Sequence, residues 1–145
     1  MENNRLELLK NLIEKLTRVI QDIHKEQHFP YGNLVLRRQQ MMIMFFINKN
    51  KGSASVNDIA KFLRVTPGAV TQFVDELVEK KLVEREKNIN DRRGINIKLS
   101  PKTKEKFSKF EKDYLSGASK TFGSLSDEEI NDLIRLLGKI KTAAF

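Results

Sequence analysis

The 145-residue chain contains no cysteine. That single absence removes disulfides, thiolate zinc sites and any thiol-based redox sensor, and it fits a reducing compartment. Histidine is nearly missing as well, with two in the chain, so the side chain most used as general base and metal ligand is scarce. His24 and His28 stand one helical turn apart, the spacing of a chelating pair. Their only sequence-local third ligand is Glu26, which falls elsewhere on a helix. No glycine-framed nucleophile elbow and no G-x-x-x-x-G-K-[ST] phosphate loop occurs. The longest apolar run, Met41 to Ile47, is far short of the roughly 20 residues needed to span a bilayer. The N-terminus lacks a basic-then-apolar signal pattern. These absences argue against an enzyme, a metal or cofactor protein, and a secreted or membrane-embedded one. A cytoplasmic protein with no membrane partner is the expectation.

Charge, by contrast, is plentiful and uneven. Lys and Arg number 27 against 19 Asp and Glu, giving a net +8 and a pI near 9.7. Residues 1–33 are neutral overall, 34–79 carry +2, 113–145 carry −1, and 80–112 alone carry +7. A local basic excess is what a polyanion-binding surface needs, because phosphate contacts release counterions. Such a stretch also serves as a solubilising face, so charge alone does not settle the matter.

The apolar pattern is mostly helical. Leu6, Leu9, Ile13, Leu16, Ile20 and Ile23 alternate spacings of three and four, an a/d seam on a helix over about 5–27. Pro30 and Gly32 interrupt it. A second, buried helix is expected from about Leu36 to Asn48. Ser55, with Asp58 three residues on, starts a short helix to about Leu63. Thr66-Pro67 reads as an N-cap followed by proline at the first helical position, where its missing N–H costs nothing. That helix runs to about Lys80. Leu82 to Glu86 and Ile95 to Leu99 alternate as strands. Ser100-Pro101 repeats the cap-plus-proline signal and opens a long helix to about Lys120. Ser126 and Glu129 form a capping box for a last helix bearing Ile130, Leu133, Leu137 and Ile140. The expected fold is mainly α with a small β-hairpin.

A helix-turn-helix followed by a hairpin is a winged-helix arrangement. The turn position often held by glycine is Arg64, which can adopt that backbone at modest cost. The outward residues of the second helix's first turns, Pro67, Gly68, Thr71, Gln72 and Asp75, are small or hydrogen-bonding. That suits close approach to base edges in a major groove. The hairpin tip places Arg92 and Arg93 at the end of a thin ribbon, where arginine fits a narrow, electronegative minor groove. Asp91 beside them is expected to pair with Arg85 and hold the tip in shape.

Asp91-Arg92-Arg93, followed after five residues by Leu99-Ser100, resembles the D-x-R…L-T wing signature of the MarR family of bacterial and archaeal transcriptional regulators. Asp58-Ile59-Ala60, the run Val70 to Leu77, and Lys81-Leu82-Val83-Glu84-Arg85 resemble further segments of that family. Ser126 to Glu129, with the leucines that follow, is similar to its closing helix. Lys81 stands where the family usually has glycine. The resemblance implies a winged helix-turn-helix flanked by N- and C-terminal dimerisation helices. Residues of about 34–100 would then form the DNA-binding lobe, with about 1–30 and 101–145 dimerising in a single 1–145 domain. It further implies a homodimeric, ligand-responsive repressor on a pseudo-palindromic operator of double-stranded DNA. Arg64, Thr66, Gly68, Ala69, Thr71, Gln72, Arg92 and Arg93 are the expected DNA contacts, with Arg93 in the minor groove and Arg92 on a phosphate. Arg85 and Asp91 are the expected wing brace. Leu6, Leu9, Ile13, Leu16, Ile130, Leu133, Leu137 and Ile140 are the expected dimer contacts. The resemblance also implies a small-molecule effector, whose identity nothing in the sequence fixes. The rival is a winged-helix module whose basic wing binds protein or RNA.

Overall fold

Several helices of the computed structural model begin at a side chain that accepts from a free N–H group. The structure describes residues 1–23, 27–29 (backbone only), 34–88, 90 and 94–142. Their order is α1 (Glu2–Ile23), β1 (Gln27–Phe29), β2 (Leu34–Leu36), α2 (Arg38–Lys49), β3 (Ser53–Ser55), α3 (Val56–Leu63), α4 (Pro67–Glu79), β4 (Val83–Lys87), β5 (Ile95–Leu99), α5 (Pro101–Thr121) and α6 (Asp127–Gly138). Ser55 Oγ accepts from the Asp58 N–H, Thr66 Oγ1 from Ala69 and Ser126 Oγ from Glu129. The Glu129 carboxylate accepts in turn from the Ser126 N–H, completing the capping box.

The chain forms two compact units. One comprises Glu26–Glu111 and carries the helix-turn-helix. Its core is α2 against α3 and α4, with Ile43, Met44, Ile47, Ile59, Val70, Val74 and Leu77 fully buried. Phe45 of α2 packs on Phe107 edge-on and on Phe110 stacked, with ring centroids 5.4 and 5.6 Å apart. The three-stranded sheet runs β3-β5-β4, all antiparallel, and Ile97 of its middle strand is fully buried. The wing hairpin pairs Val83 with Leu99 through Lys87 with Ile95.

The sheet has one more strand than the hairpin expected from the alternating pattern. β3 is three residues long, too short for alternation to be visible, and it pairs Ala54 with Ile97. A second short hairpin, β1–β2, pairs Gln27 with Leu36, so α1 stops four residues before the expected helix end at 27.

The other unit comprises Met1–Lys25 and Lys112–Ala144. No residue of α1 or α6 is buried in the single chain. Leu6, Leu9, Ile13, Leu133 and Leu137 are exposed, while Leu16 and Ile130 are half-buried. Ile140 lies just past the end of α6. Ile130, Leu133 and Leu137 also line an apolar groove with Ala118 and Phe122 of the α5 side. Among the described residues, no helix is long and apolar enough to cross a membrane.

Candidate nucleic-acid interface

The turn between α3 and α4 is closed by Arg64, whose backbone is left-handed with φ 59° and ψ 44°. Val65 N–H returns to the Ala60 carbonyl at 3.1 Å. The small Ala60 beside the turn is buried, the kind of side chain that lets two helices approach closely. A left-handed arginine costs about 1 kcal/mol relative to glycine, and it leaves an exposed cation at the turn.

Pro67 then begins α4, whose first two turns bury Val70 and Val74 and present their other face to solvent. Thr66, Gly68, Thr71 and Gln72 are exposed, and Ala69 is half-buried. Thr71 Oγ1 donates to the Pro67 carbonyl at 3.0 Å, which leaves its lone pairs and methyl group for a partner. A Cβ added to Gly68 would meet only Thr66 Oγ1, at 3.9 Å, an ordinary contact. Nothing inside the fold therefore requires glycine there.

Beside the turn lies an open cleft of about 490 Å³ lined by Asn57, Lys61, Arg64, Thr66 and Pro67, among others. Asn57 and Lys61 are exposed residues of α3 that the sequence reading passed over. The available signal was their spacing with Arg64, at 57, 61 and 64 on one helical face.

Arg85 of β4 pairs with Asp75 of α4. The expected partner was Asp91, which lies outside the described residues, as do Arg92 and Arg93. Lys98 of β5 stands 3.8 Å from both Glu84 and Glu86, offsetting the two carboxylates on the wing's outer strand. Past the strands the ladder continues, with Asn88 N–H donating to the Gly94 carbonyl at 3.0 Å. Asn88 Oδ1 accepts from the Asn90 N–H, a local turn at the base of the tip. His24 is also outside the described residues, and so is the side chain of His28.

The electrostatics follow the units. Glu26–Glu111 holds 17 basic and 10 acidic residues, so nearly all of the chain's +8 belongs to the unit with the helix-turn-helix. Among the described residues, no group of three or more His, Asp or Glu is placed to hold a metal ion.

A solvent-facing second helix with a wing beside it, in a basic lobe, is the architecture of a winged helix-turn-helix DNA-binding regulator. The model of the MarR family matches residues 36–94. The chain is 30% identical over 105 residues to the HTH-type transcriptional repressor MdtR of Bacillus subtilis, covering 72% of this chain and 67% of that one. A mutant MarR from E. coli, solved in complex with operator DNA, superposes with a TM-score of 0.74 at 23% identity, over 96% of this chain and 97% of that one. The organohalide-sensing regulator RdhR, solved in its 2,4-dichlorophenol-bound form, gives a TM-score of 0.74 at 21% identity, over 96% and 82%. The chain belongs to the MarR family: it is a DNA-binding transcriptional regulator and not an enzyme.

Proposed function

We propose that the chain is a cytoplasmic, ligand-responsive repressor that grips a pseudo-palindromic operator as a homodimer. The observation that carries this reading is the exposed strip Gly68-Thr71-Gln72 at the start of α4, small or hydrogen-bonding throughout, in a lobe of net +7. Gln72 is long enough to bond an adenine's N6 and N7 together, and the Thr71 methyl suits a thymine methyl. Arg64, Thr66 and the half-buried Ala69 line the approach, with Asn57 and Lys61 facing the flanking phosphates. Arg92 and Arg93, by their place in the wing pattern, take a phosphate and the minor groove respectively.

Dimerisation is supported by the unburied seams. A single chain leaves Leu6, Leu9, Ile13, Leu133 and Leu137 in water, and burying such a side chain is worth about 1.5–3 kcal/mol. A second copy of the same helices, related by a two-fold axis, covers them and sets two recognition helices one DNA turn apart. An effector that changes that spacing would release the operator. The relative solved with 2,4-dichlorophenol supports a small-molecule effector. The rival reading, a protein- or RNA-binding module, is not favoured by the family.

Selection of duplexes from a random pool, followed by footprinting, tests the reading. An inverted repeat protected over both half-sites is the expected result. Equal retention of all duplexes, or preference for RNA, would overturn it.

A further inference from the structure

Gln40, at the start of α2, is a polar side chain with no exposure at all. Both ends of its amide are used. Its Oε1 accepts from the Arg37 N–H at 2.9 Å, and its Nε2 donates to Glu76 Oε2 of α4 at 2.7 Å. The second bond is charge-assisted, and its length is at the short end of the N–H···O range. One turn further on, at the residue that caps the end of α4, Lys80 Nζ donates to the Val35 carbonyl at 3.2 Å. The segment 35–40 thus holds α4 at two points on one side.

Those two points are aligned with a residue in the proposed base-reading set. Gln72, Glu76 and Lys80 are spaced four apart, so they form one strip along α4, each turned only about 40° from the last. The last two are held and the first projects into solvent. The apolar contacts of Val70, Val74 and Leu77 draw α4 into the core, and the two polar bonds add a directional restraint that non-directional apolar attraction does not supply. A turn of about 20° would move a group at the helix surface by about 2 Å, more than the tolerance of a hydrogen bond to a base.

We propose that Gln40 is a positioning residue for DNA recognition: through Glu76 it sets the rotation of α4 and hence the aim of Gln72. It touches no DNA itself. The inference rests on the reading above, in which α4 reads bases.

The test uses the full chain, an operator duplex selected by the parent protein, and a scrambled duplex of equal length. The quantity read is the ratio of the two affinities, at a temperature where each variant is shown to be folded. Gln40→Glu sets two carboxylates against each other and is expected to lower the ratio by about tenfold or more, one lost charge-assisted bond corresponding to roughly ten- to a hundredfold. Glu76→Gln keeps a neutral amide pair and stays close to the parent. The exchange Gln40→Glu with Glu76→Gln rebuilds the bond in reverse and is expected to recover the ratio. Gln40→Met removes the amide without repulsion, so it gives a reading even where Gln40→Glu fails to fold, and it too is expected to lower the ratio. A parent-like ratio in Gln40→Met overturns the inference, as does loss on both duplexes equally. A parent chain with no preference for any duplex would instead overturn the base-reading proposal.

Discussion

The Arg85 guanidinium, on the first strand of the wing, is paired with the Asp75 carboxylate on α4. Wing and α4 are therefore joined by an ion pair that no local sequence rule selects. It removes a bare negative charge from a face that would meet phosphates. Both side chains remain partly in water, at 35% and 61% exposure, so the pair is worth at most about 1 kcal/mol of stability. Its importance lies in aim and charge.

Arg85→Met is accordingly expected to change the unfolding free energy by less than about 1 kcal/mol while weakening binding to duplex DNA. Asp75→Asn in the same chain removes the uncovered carboxylate and regains most of the loss. Fluorescence anisotropy on the four proteins of this double-mutant cycle measures it. Additive effects would show that the two residues act separately.

Gly68 makes a second case. The fold has room for a methyl group there, and alanine is the better helix former by about 1 kcal/mol. Gly68→Ala is expected to hold or raise the melting temperature and yet weaken operator binding, because the added methyl meets the DNA. Undiminished affinity would place this position away from the groove.

Lys81 has a left-handed backbone with φ 62° at the end of α4, where its N–H donates to the Val78 carbonyl and that of Leu82 to Leu77. Such a helix end is the natural place for glycine. Lys81→Gly is expected to stabilise the chain by about 1 kcal/mol, raising Tm by about 3 °C. Calorimetry checks this, and a fall in Tm would mean that the lysine side chain supplies contacts worth more than the strain.

Ile13 and Leu137 are 62% and 49% exposed in the single chain. Aspartate at either therefore costs the lone subunit little, whereas a dimer would bury those charges at several kcal/mol each. The double variant Ile13→Asp, Leu137→Asp is expected to sediment as a folded monomer at micromolar concentration and to lose operator binding. An unchanged mass would remove these seams from the interface.

Much of this architecture is legible in the chain because its signals are local. Thr66-Pro67, Ser100-Pro101 and Ser126 with Glu129 each mark a helix start, and α4, α5 and α6 begin there. The buried helix around Met41 to Ile47 is equally plain, since no polar residue interrupts it. What was not legible is either too short or too distant. β3 is three residues long and exists only because β5 accepts it. Gln40 and Glu76 are 36 positions apart, and nothing in their neighbourhoods says they meet. Arg85 has acidic residues on both sides in sequence, and its pairing with Asp75 depends on how β4 lies against α4.

The central claim is that the exposed start of α4 reads bases, and substitution of Gln72 tests it most directly. Gln72→Ala should be put through the same random-duplex selection as the parent chain, with affinity for a scrambled duplex measured alongside. The account predicts relaxed preference at one position in each half-site, a loss of roughly 1–3 kcal/mol of discrimination there, and unchanged affinity for the scrambled duplex. Equal loss on every duplex, with the selected sequence intact, would make Gln72 a backbone contact and contradict the claim.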